Sequence, residues 1–460
     1  ALSAMNPTNQ GIGGASDDGA FTGTQFAVTR FLEELGCGWY GTDALWQVIP
    51  DSPTISFAGM DIVETPKFIS RGTNRLNSGV FEELAQRWYM GGVEVATGQH
   101  YLMSYVGNSH QTAHPEWYAK KADGSQLYPL GDTAAWPDIY WQFCYSNTGL
   151  RQKVAETVMN YFASNPNCMV FSITPNDGWE FGTCQCAACA CYANDTDLIL
   201  AFGNAVAAIV KQTYPDRYVS VLTYHTTLTA PSSARPVDSN LDITFCAETS
   251  MTSPVSTASY IGMSGAKQNI AWRDNFLKYI SRTGVKQRSA WKWLCIAAEN
   301  PAWSNIPWVQ GNVATDDHTF WKNHGVSYVF YDQGPSGAYR EYEMSFPLRW
   351  PLWYVANKGC WDQNSTGDQL LKDACQKLYG KGADAMLAYY QALANASKAC
   401  SADSFAWAAP NPSSVYTPEQ VKKIDAAIAN AKSMLSKVSE LEKQRMQNQI
   451  DLWENAKNYF

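Results

Sequence analysis

Residues 141–180, WQFCYSNTGLRQKVAETVMNYFASNPNCMVFSITPNDGWE, contain two extended apolar runs on either side of one amphipathic segment. The runs 141–145 and 168–174 are short and rich in aromatic and apolar side chains, which predicts buried strands. Between them, apolar residues recur at helical spacing over 149–163, and this pattern predicts a helix. A strand, a helix and a second strand in this order predict a parallel βαβ unit.

The same alternation continues on both sides of this unit. The predicted strands are 67–71, 92–98, 141–145, 168–174, 218–224, 242–247, 289–296 and 326–331. The clearest predicted helices between them are 149–163, 196–212, 267–281 and 318–324. Eight strands with intervening helices match the count of a (β/α)8 barrel of TIM type, so we predict an α/β fold built on such a barrel.

The segments that flank the predicted barrel have different patterns. Residues 1–60 combine a Gly/Ser-rich arm with a short helix and extended pieces, which predicts a truncated N-terminal α/β segment. Residues 61–345 form the predicted barrel, and residues 346–460 are typical of a helical domain. In that domain Thr417-Pro418-Glu419-Gln420 is a helix start signal. Apolar residues at helical spacing then predict one final helix of roughly 40 residues, unusually long for a globular protein.

The composition excludes several classes of partner. The chain has 460 residues, a formal net charge of −8, 17% charged residues and 13% aromatic residues. An acidic chain is not expected to bind nucleic acid or an anionic membrane surface. No run approaches the roughly 20 apolar residues that cross a bilayer, so no membrane partner is expected. Many of the 18 tryptophans lie in loop-like stretches. Such tryptophans are suited to stacking on sugars, although a single tryptophan more often belongs to the core.

Several features indicate an extracellular protein. Residues 1–14 have neither the basic nor the apolar region of a signal peptide, so we expect a mature secreted chain or a fragment. Twelve dispersed cysteines are typical of an oxidising compartment. Acceptor sequons begin at Asn194, Asn364 and Asn395, which is consistent with a secreted glycoprotein.

The segment 184–191, CQCAACAC, holds the cysteines Cys184, Cys186, Cys189 and Cys191. One interpretation is a structural Zn²⁺ ion held by four thiolates. The other is a set of disulfides that brace the loop, which the even and dispersed cysteine count favours. We therefore expect neither a metal nor a cofactor. Either arrangement would stiffen the loop that carries Asp177.

In a βα barrel the functional side chains lie at the carboxyl ends of the strands. Polar and aromatic residues follow most of the predicted strands. Those placed to contact a substrate are Arg71, His100, Asn176, Trp179, Tyr224, His225, Trp293 and Tyr331.

Four carboxylates stand at the same predicted ends, namely Asp177, Glu180, Glu248 and Asp332. Glycoside hydrolysis needs two carboxyl groups, one that protonates the leaving oxygen and one that acts as base or nucleophile. An apolar neighbour such as Trp179 could raise the pKa of one of them by desolvation. The structural alternative is that these acids cap helices or pair with cations such as Arg71 or Lys292. The motifs of serine hydrolases, phosphate-binding loops and zinc proteases are absent from the sequence.

Longer segments carry a resemblance. The segments FAVTRFLEELGCGWYG, HPEWYA, QFCYSNTGLRQKVAETVMNYF, FSITPNDGWEFGTCQCAAC, GVSYVFYDQG and PLRWPLWYVANKGCWDQ follow one another between residues 24 and 395. Together they resemble a large, mostly bacterial family of secreted proteins of unassigned function. That family's barrels are similar to those of alpha-glucuronidases and beta-hexosaminidases. The most specific piece is SITPNDG at 172–178.

The resemblance implies a carbohydrate substrate and a proton donor after the fourth strand. That role falls on Asp177, with Glu180 as the substitute. The second acid is not fixed by a matching motif, and Glu248 and Asp332 compete for it, with Glu248 preferred. By the same resemblance, we expect the N-terminal β-rich domain usual in such enzymes to be truncated here to residues 1–60.

Two functional hypotheses follow. The first is a secreted glycoside hydrolase that acts on an acidic or amino-sugar polysaccharide. The second is a non-catalytic extracellular protein that binds glycan or assembles into a surface layer or filament. In the second hypothesis, copies of the chain associate through the N-terminal arm or the long C-terminal helix.

Overall fold

The computed structural model describes residues 23–52, 54–56, 59–73, 80–96, 102, 106, 110–128, 141–177, 182–247, 264–293, 301–309, 311–332, 339–400 and 411–460.

The strands form one small and one large sheet. β1 (Gly38–Trp39) and β2 (Gln47–Val48) pair with each other in antiparallel orientation. The large sheet comprises β3 (Ser70–Thr73), β4 (Gly91–Gly92), β5 (Glu94–Ala96), β6 (Cys168–Ser172), β7 (Tyr218–Thr223), β8 (Leu241–Ala247), β9 (Gln287–Trp293) and β10 (Tyr328–Asp332). Its order is β4-β3-β10-β9-β8-β7-β6-β5, and every pair is parallel except β3 with β4.

Helices separate most of these strands in sequence. They are α1 (Gly23–Glu34), α2 (Val80–Arg87), α3 (Thr148–Ser164), α4 (Ala187–Ala190), α5 (Asp195–Val210), α6 (Ser264–Ile280), α7 (Gly311–Asn323), α8 (Tyr339–Trp361), α9 (Gly367–Tyr379), α10 (Ala383–Ala399), α11 (Pro412–Val415), α12 (Pro418–Met434) and α13 (Glu440–Ala456). No described helix is both long enough and apolar enough to cross a bilayer.

The fold is a mixed α/β fold with a curled sheet of seven parallel strands, and the described residues do not complete the predicted barrel of eight. The prediction of a strand at 141–145 is wrong. β5 pairs directly with β6, and Phe143 forms only an isolated bridge with Tyr118. The aromatic residues of 141–145 are buried against the segment 117–119 instead, with Ala119 N donating to Gln142 O at 3.1 Å. The run 141–145 therefore has the residue pattern of a buried strand, but it is buried against the loop segment 117–119 and not within the sheet.

The predicted final helix is two helices. Thr417 caps α12, because its side chain accepts a hydrogen bond from the backbone N–H of Gln420. A second cap follows at Ser439, which forms a capping box with Glu442 and starts α13. The two helices fold back on each other because the chain turns between them.

α13 is fastened to the body of the protein. Arg445 donates to the carbonyl oxygens of Leu45, Gln47 and Leu378, and Trp453 is fully buried. Ile424 and Ile428 of α12 and Met446 and Ile450 of α13 are likewise buried within the chain, whereas Leu441 is exposed.

The large sheet has two chemically distinct faces, since side chains alternate along each strand. The outer face packs against the helices, as when Phe245 meets Phe276 of α6 with ring centroids 4.5 Å apart. On the inner face, side chains from β7 to β10 form a separate buried cluster. Its members are Leu222, Tyr224, Cys246, Trp291 and Phe330.

Candidate active site at the carboxyl ends of the strands

The loop after β6 is anchored by Asn176. This residue is completely buried, and its Nδ2 donates to Trp141 O at 2.6 Å. Gln142 Nε2 donates to the carbonyl oxygens of Asn176 (2.7 Å) and Asp177 (3.0 Å), and Tyr145 Oη donates to Gln142 Oε1. Asn176 thus has a structural role, and it fixes the main chain of Asp177. The Asp177 side chain itself is only half-buried.

An apolar floor lies on the inner face, toward the carboxyl ends of the strands. Trp291 and Phe330 have ring centroids 4.0 Å apart, and Tyr224 packs in the same cluster. Tyr224 follows β7 directly, and its N–H donates to Thr227 Oγ1 at 2.9 Å, which fixes the turn. The predicted site residue Tyr224 is therefore part of this floor and is 6% exposed.

The ends of three neighbouring strands lie at one level of the sheet. Ala247 is paired with Lys292, and Trp293 is paired with Asp332. Asp332 and Trp293 are thus the last residues of β10 and β9, and His225 begins a short 3-10 turn after β7. The side chains of these three residues lie outside the described residues, as do His100, Trp179, Glu180 and Glu248 altogether.

Arg71 faces the helices. It is 1% exposed, and its Nε donates to Tyr89 O at 2.6 Å while Nη1 donates to Phe68 O. The guanidinium also lies 5.1 Å from the ring centroid of Trp361. Burial lowers the pKa of Arg71 to about 10. These contacts are structural, and they do not direct Arg71 toward the inner face where we expected a sugar.

Tyr331 also belongs to the outer face. Its hydroxyl forms a hydrogen bond with His318 Nε2 on α7, and Cys360 Sγ lies 3.4 Å from the same nitrogen. Burial raises the pKa of Tyr331 and lowers the pKa of His318 well below its ordinary value. The structure therefore gives Tyr331 helix-facing contacts rather than the predicted place in a sugar site.

The sequence analysis missed a buried carboxyl group on the inner face. Asp242 Oδ2 accepts hydrogen bonds from Ser289 Oγ (2.8 Å) and Thr244 Oγ1 (3.1 Å), whereas Oδ1 has no partner among the described residues. Burial raises the pKa of Asp242 to about 7. The alternation in LDITFCA places Asp242 on the same face as Thr244 and Cys246. This alternation is visible in the sequence. Asp242 nevertheless lies near the amino end of β8, away from the carboxyl ends where functional residues are expected.

The cysteine cluster differs from both of its sequence interpretations. No disulfide joins the eleven cysteines that the structure describes. The sulfur atoms of Cys144, Cys184, Cys186 and Cys189 all lie within 4.8 Å of one another. Cys191 is exposed, and its Sγ donates to Ala188 O. The predicted disulfides are absent among these residues, and Cys144 replaces Cys191 in the group.

The thiols of this cluster interact with one another. Hydrogen bonds from Cys184 and Cys189 lower the pKa of Cys144, and the contact with Cys144 raises the pKa of Cys184 to about 11. Cys144 lies in the loop before α3, far from the other three in sequence. Sequence spacing could not reveal it, because its approach depends on the pairing of 141–145 with 117–119.

A cleft of about 340 Å³ lies outside the sheet, between α1, α8 and α9. Two of its charged groups, Lys358 and Glu33, are paired with each other. Lys358 Nζ donates to both carboxylate oxygens of Glu33 at 2.7 and 2.9 Å, and Tyr89 Oη donates to Glu33 Oε2 at 2.8 Å. These contacts attach α1 to α8, which is a structural function.

Comparison with known proteins gives remote structural matches. A "GH138 enzyme targeting pectin rhamnogalacturonan II" is 11% identical with a TM-score of 0.32, over 67% of this chain and 48% of that one. A "family GH115 4-O-Methyl-alpha-glucuronidase" with "specificity for decorated arabinogalactans" is 10% identical with a TM-score of 0.40, over 85% and 53%. The chain spans about half the length of these structures. No curated protein sequence matches it.

One family model matches the sequence itself over residues 39–274, which is about half of the chain. This region includes the loop after β6 and the cysteine cluster. The chain therefore belongs to the family described as "Domain of unknown function (DUF4838)".

Proposed function

We propose that this protein is a secreted glycoside hydrolase in which Asp177 is the general acid. The main observation behind this proposal is the way in which neighbouring residues position Asp177. Its main chain is fixed by the buried pair Asn176 and Gln142, while its own side chain stays half-exposed at the end of a parallel strand. Parallel α/β sheets place their reactive groups at this end.

The floor of the inner face supports the same proposal. Trp291, Phe330 and Tyr224 form a buried aromatic cluster on the inner face, on strands of the same sheet as β6 or directly after them. A floor of this kind excludes water from below and lowers the local dielectric constant.

The second carboxylate in this proposal is Glu248 or Asp332, with Glu248 preferred. Asp332 ends β10, and Glu248 follows Ala247 directly in the sequence. Ala247 of β8 pairs with Lys292 of β9, and Asp332 of β10 pairs with Trp293 of β9, so the two acids belong to strand ends that are separated by one strand. The separation between each of them and the donor carboxyl would set the stereochemistry, at about 5–5.5 Å for retention and about 6.5–9.5 Å for inversion.

The substrate class that we propose is an acidic or amino-sugar polysaccharide. Export rests on the resemblance and on the sequons, whose asparagines Asn194, Asn364 and Asn395 are all exposed. The non-catalytic hypothesis was motivated by the truncated first domain, the N-terminal arm and the long C-terminal helix. The last of these is absent, because residues 418–456 form the two helices α12 and α13. The N-terminal arm lies outside the described residues.

The test is hydrolysis of a panel of polysaccharides and aryl glycosides that includes uronic acid and N-acetylhexosamine substrates. Asp177→Asn is expected to lower kcat by about 100-fold or more, because general acid catalysis contributes roughly 10²–10⁴-fold. The matched control is Asp216→Asn, an exposed acid next to the amino end of β7. This variant should keep the wild-type rate.

Two results would contradict the proposal. Wild-type turnover by a folded Asp177→Asn variant would remove its role as general acid. Absence of hydrolysis across the whole panel, together with retained binding to an immobilised glycan, would favour the non-catalytic hypothesis. Glu248→Gln and Asp332→Asn, measured on the same substrate, then identify the second acid by the larger loss of kcat.

A further inference from the structure

Four thiols converge beside the candidate active site. Cys144 belongs to the loop before α3, Cys184 and Cys186 to the loop after β6, and Cys189 to α4. Three of them are buried and Cys186 is partly exposed. We propose that these four cysteines hold one structural Zn²⁺ ion.

The distances fit a tetrahedral ion. Cys144 Sγ lies 3.6 Å from Cys186 Sγ and 3.8 Å from Cys189 Sγ, and all pairs lie within 4.8 Å. Four sulfurs placed about 2.3 Å from a central Zn²⁺ in a tetrahedron are about 3.8 Å apart. The observed separations are too long for a covalent S–S bond of about 2.05 Å. They therefore match the edges of a tetrathiolate site.

The neighbours of the cluster are suited to thiolates. The backbone N–H of Lys120 donates to Cys184 Sγ at 3.3 Å, and Ser146 Oγ lies 3.1 Å from Cys189 Sγ. Hydrogen bonds of this kind stabilise the charged form of a sulfur ligand and orient it. The frame is held by backbone bonds as well, from Gln185 N to Lys120 O (2.7 Å) and from Cys144 N to Trp117 O (2.8 Å).

The donor set selects the class of metal. Four thiolates are soft ligands, and a closed tetrahedral S₄ site suits Zn²⁺ or iron, whereas Mg²⁺ and Ca²⁺ require oxygen ligands. With every position occupied by a side chain, such a site has no open position for a substrate and is structural. We infer Zn²⁺ because it needs no redox partner.

The ion would connect two loops that position Asp177. Cys144 lies two residues after Gln142, which holds the carbonyl oxygens of Asn176 and Asp177, and Cys184 follows Asp177 by seven residues in the sequence. A metal that joins Cys144 to Cys184 therefore ties the segment after Asp177 to the segment 142–144, which holds the Asp177 main chain. This positioning role depends on the proposed function, whereas metal binding does not.

The experiment measures metal content in the purified full chain by elemental mass spectrometry and by competition with a chelator. We expect about one Zn²⁺ per chain in the wild type. Cys144→Ser and Cys189→Ser should lose it. Their affinity for Zn²⁺ should fall by more than roughly 10–100-fold, which is the typical cost of changing a residue that only hydrogen-bonds to a metal ligand. Cys191→Ser is the matched control from the same segment and should retain the ion, because its thiol lies outside the cluster.

The outcomes separate the alternatives. Mapped disulfides among the four cysteines and no bound metal would overturn the proposal, as would iron in place of zinc or loss of zinc in Cys191→Ser. If Cys144→Ser does not fold, Co²⁺ exchange into the wild type decides, because a tetrathiolate site gives intense visible bands that Zn²⁺ abolishes. Their absence would contradict the site. A zinc-loaded wild type without glycosidase activity would contradict the proposed function alone.

Discussion

The two faces of the curled sheet differ in the partners that they provide for buried polar side chains. On the outer face Lys292 pairs with Asp317 of α7, and Arg71 donates to two backbone carbonyl oxygens. On the inner face Asp242 has hydroxyl partners for one carboxyl oxygen and none among the described residues for the other. Lys292 and Arg71 thus have partners where they lie, whereas the inner face keeps a carboxyl group whose pKa burial raises to about 7.

This difference shows that a polar residue near a strand end is not by itself a site residue. Arg71 and Tyr331 were predicted to contact a sugar because of their place in the sequence. Both point to the helices, since side chains alternate along a strand with a period of two. Tyr224 lies on the inner face and so joins the floor of the candidate site.

The largest expected effect comes from breaking the buried ion pair. Lys292 and Asp317 have side chains that are 2% and 0% exposed. Asp317→Ala leaves a buried ammonium group without its counter-charge, so the free energy of unfolding should fall by about 3–5 kcal/mol. Urea denaturation of the purified variant measures this loss.

The control for this prediction is an exposed pair. Lys423 and Glu419 on α12 have side chains that are 58% and 74% exposed. Lys423→Met should change stability by less than about 1 kcal/mol, because water screens such a pair. Equal effects of the two substitutions would show that the outer-face pair is not buried as the structure has it.

Asp242 should give an intermediate effect that depends on pH. The folded chain keeps this carboxyl protonated up to about pH 7, whereas the unfolded chain ionises it near its ordinary pKa of 3.8. Its cost to folding is therefore negligible below pH 4, grows between pH 4 and 7, and is largest above pH 7. The stability of Asp242→Asn relative to the wild type should rise by about 2–3 kcal/mol from pH 5 to pH 8.

Denaturant unfolding of both proteins at several pH values between 4 and 8 tests this expectation. Asp216→Asn again supplies the control, because an exposed carboxyl should give a difference that does not vary with pH. A flat difference for Asp242→Asn would mean that water or a nearby group satisfies the carboxylate on the inner face.

The smallest expected effect is that of Tyr331→Phe. This substitution removes the hydroxyl that bonds to His318 and leaves a buried imidazole without that partner. We expect a loss of about 1–2 kcal/mol in unfolding free energy. If a substrate is found, KM should not change, because Tyr331 faces the helices. A higher KM at unchanged stability would indicate instead that Tyr331 contacts the substrate.

Most strands of the large sheet could be predicted from the sequence. The runs at 218–224, 242–247 and 326–331 correspond to β7, β8 and β10, with bounds that differ by one or two residues. Buried parallel strands have continuous apolar runs, which local pattern reveals. The run 141–145 has the same pattern but is buried by a loop. Its assignment as a strand could not be tested without knowing which segment it contacts.

The final helix was predicted wrongly for a different reason. The apolar spacing continues from Val421 to Leu441 across the turn, so periodicity alone predicts a single helix. The signal that ends it is the pair Ser439 and Glu442, a capping box that the sequence contains. Local hydrogen bonding outweighed periodicity at this point.

The parallel α/β character of the chain, most of its strands and the place of Asp177 after a buried strand follow from the sequence alone. These features depend on local periodicity and on residue type. Three other features became known only from the fold: which face each side chain takes, which cysteine completes the group of four, and that 141–145 supports a loop instead of extending the sheet. Such features depend on contacts between residues far apart in the chain, and local pattern does not contain them.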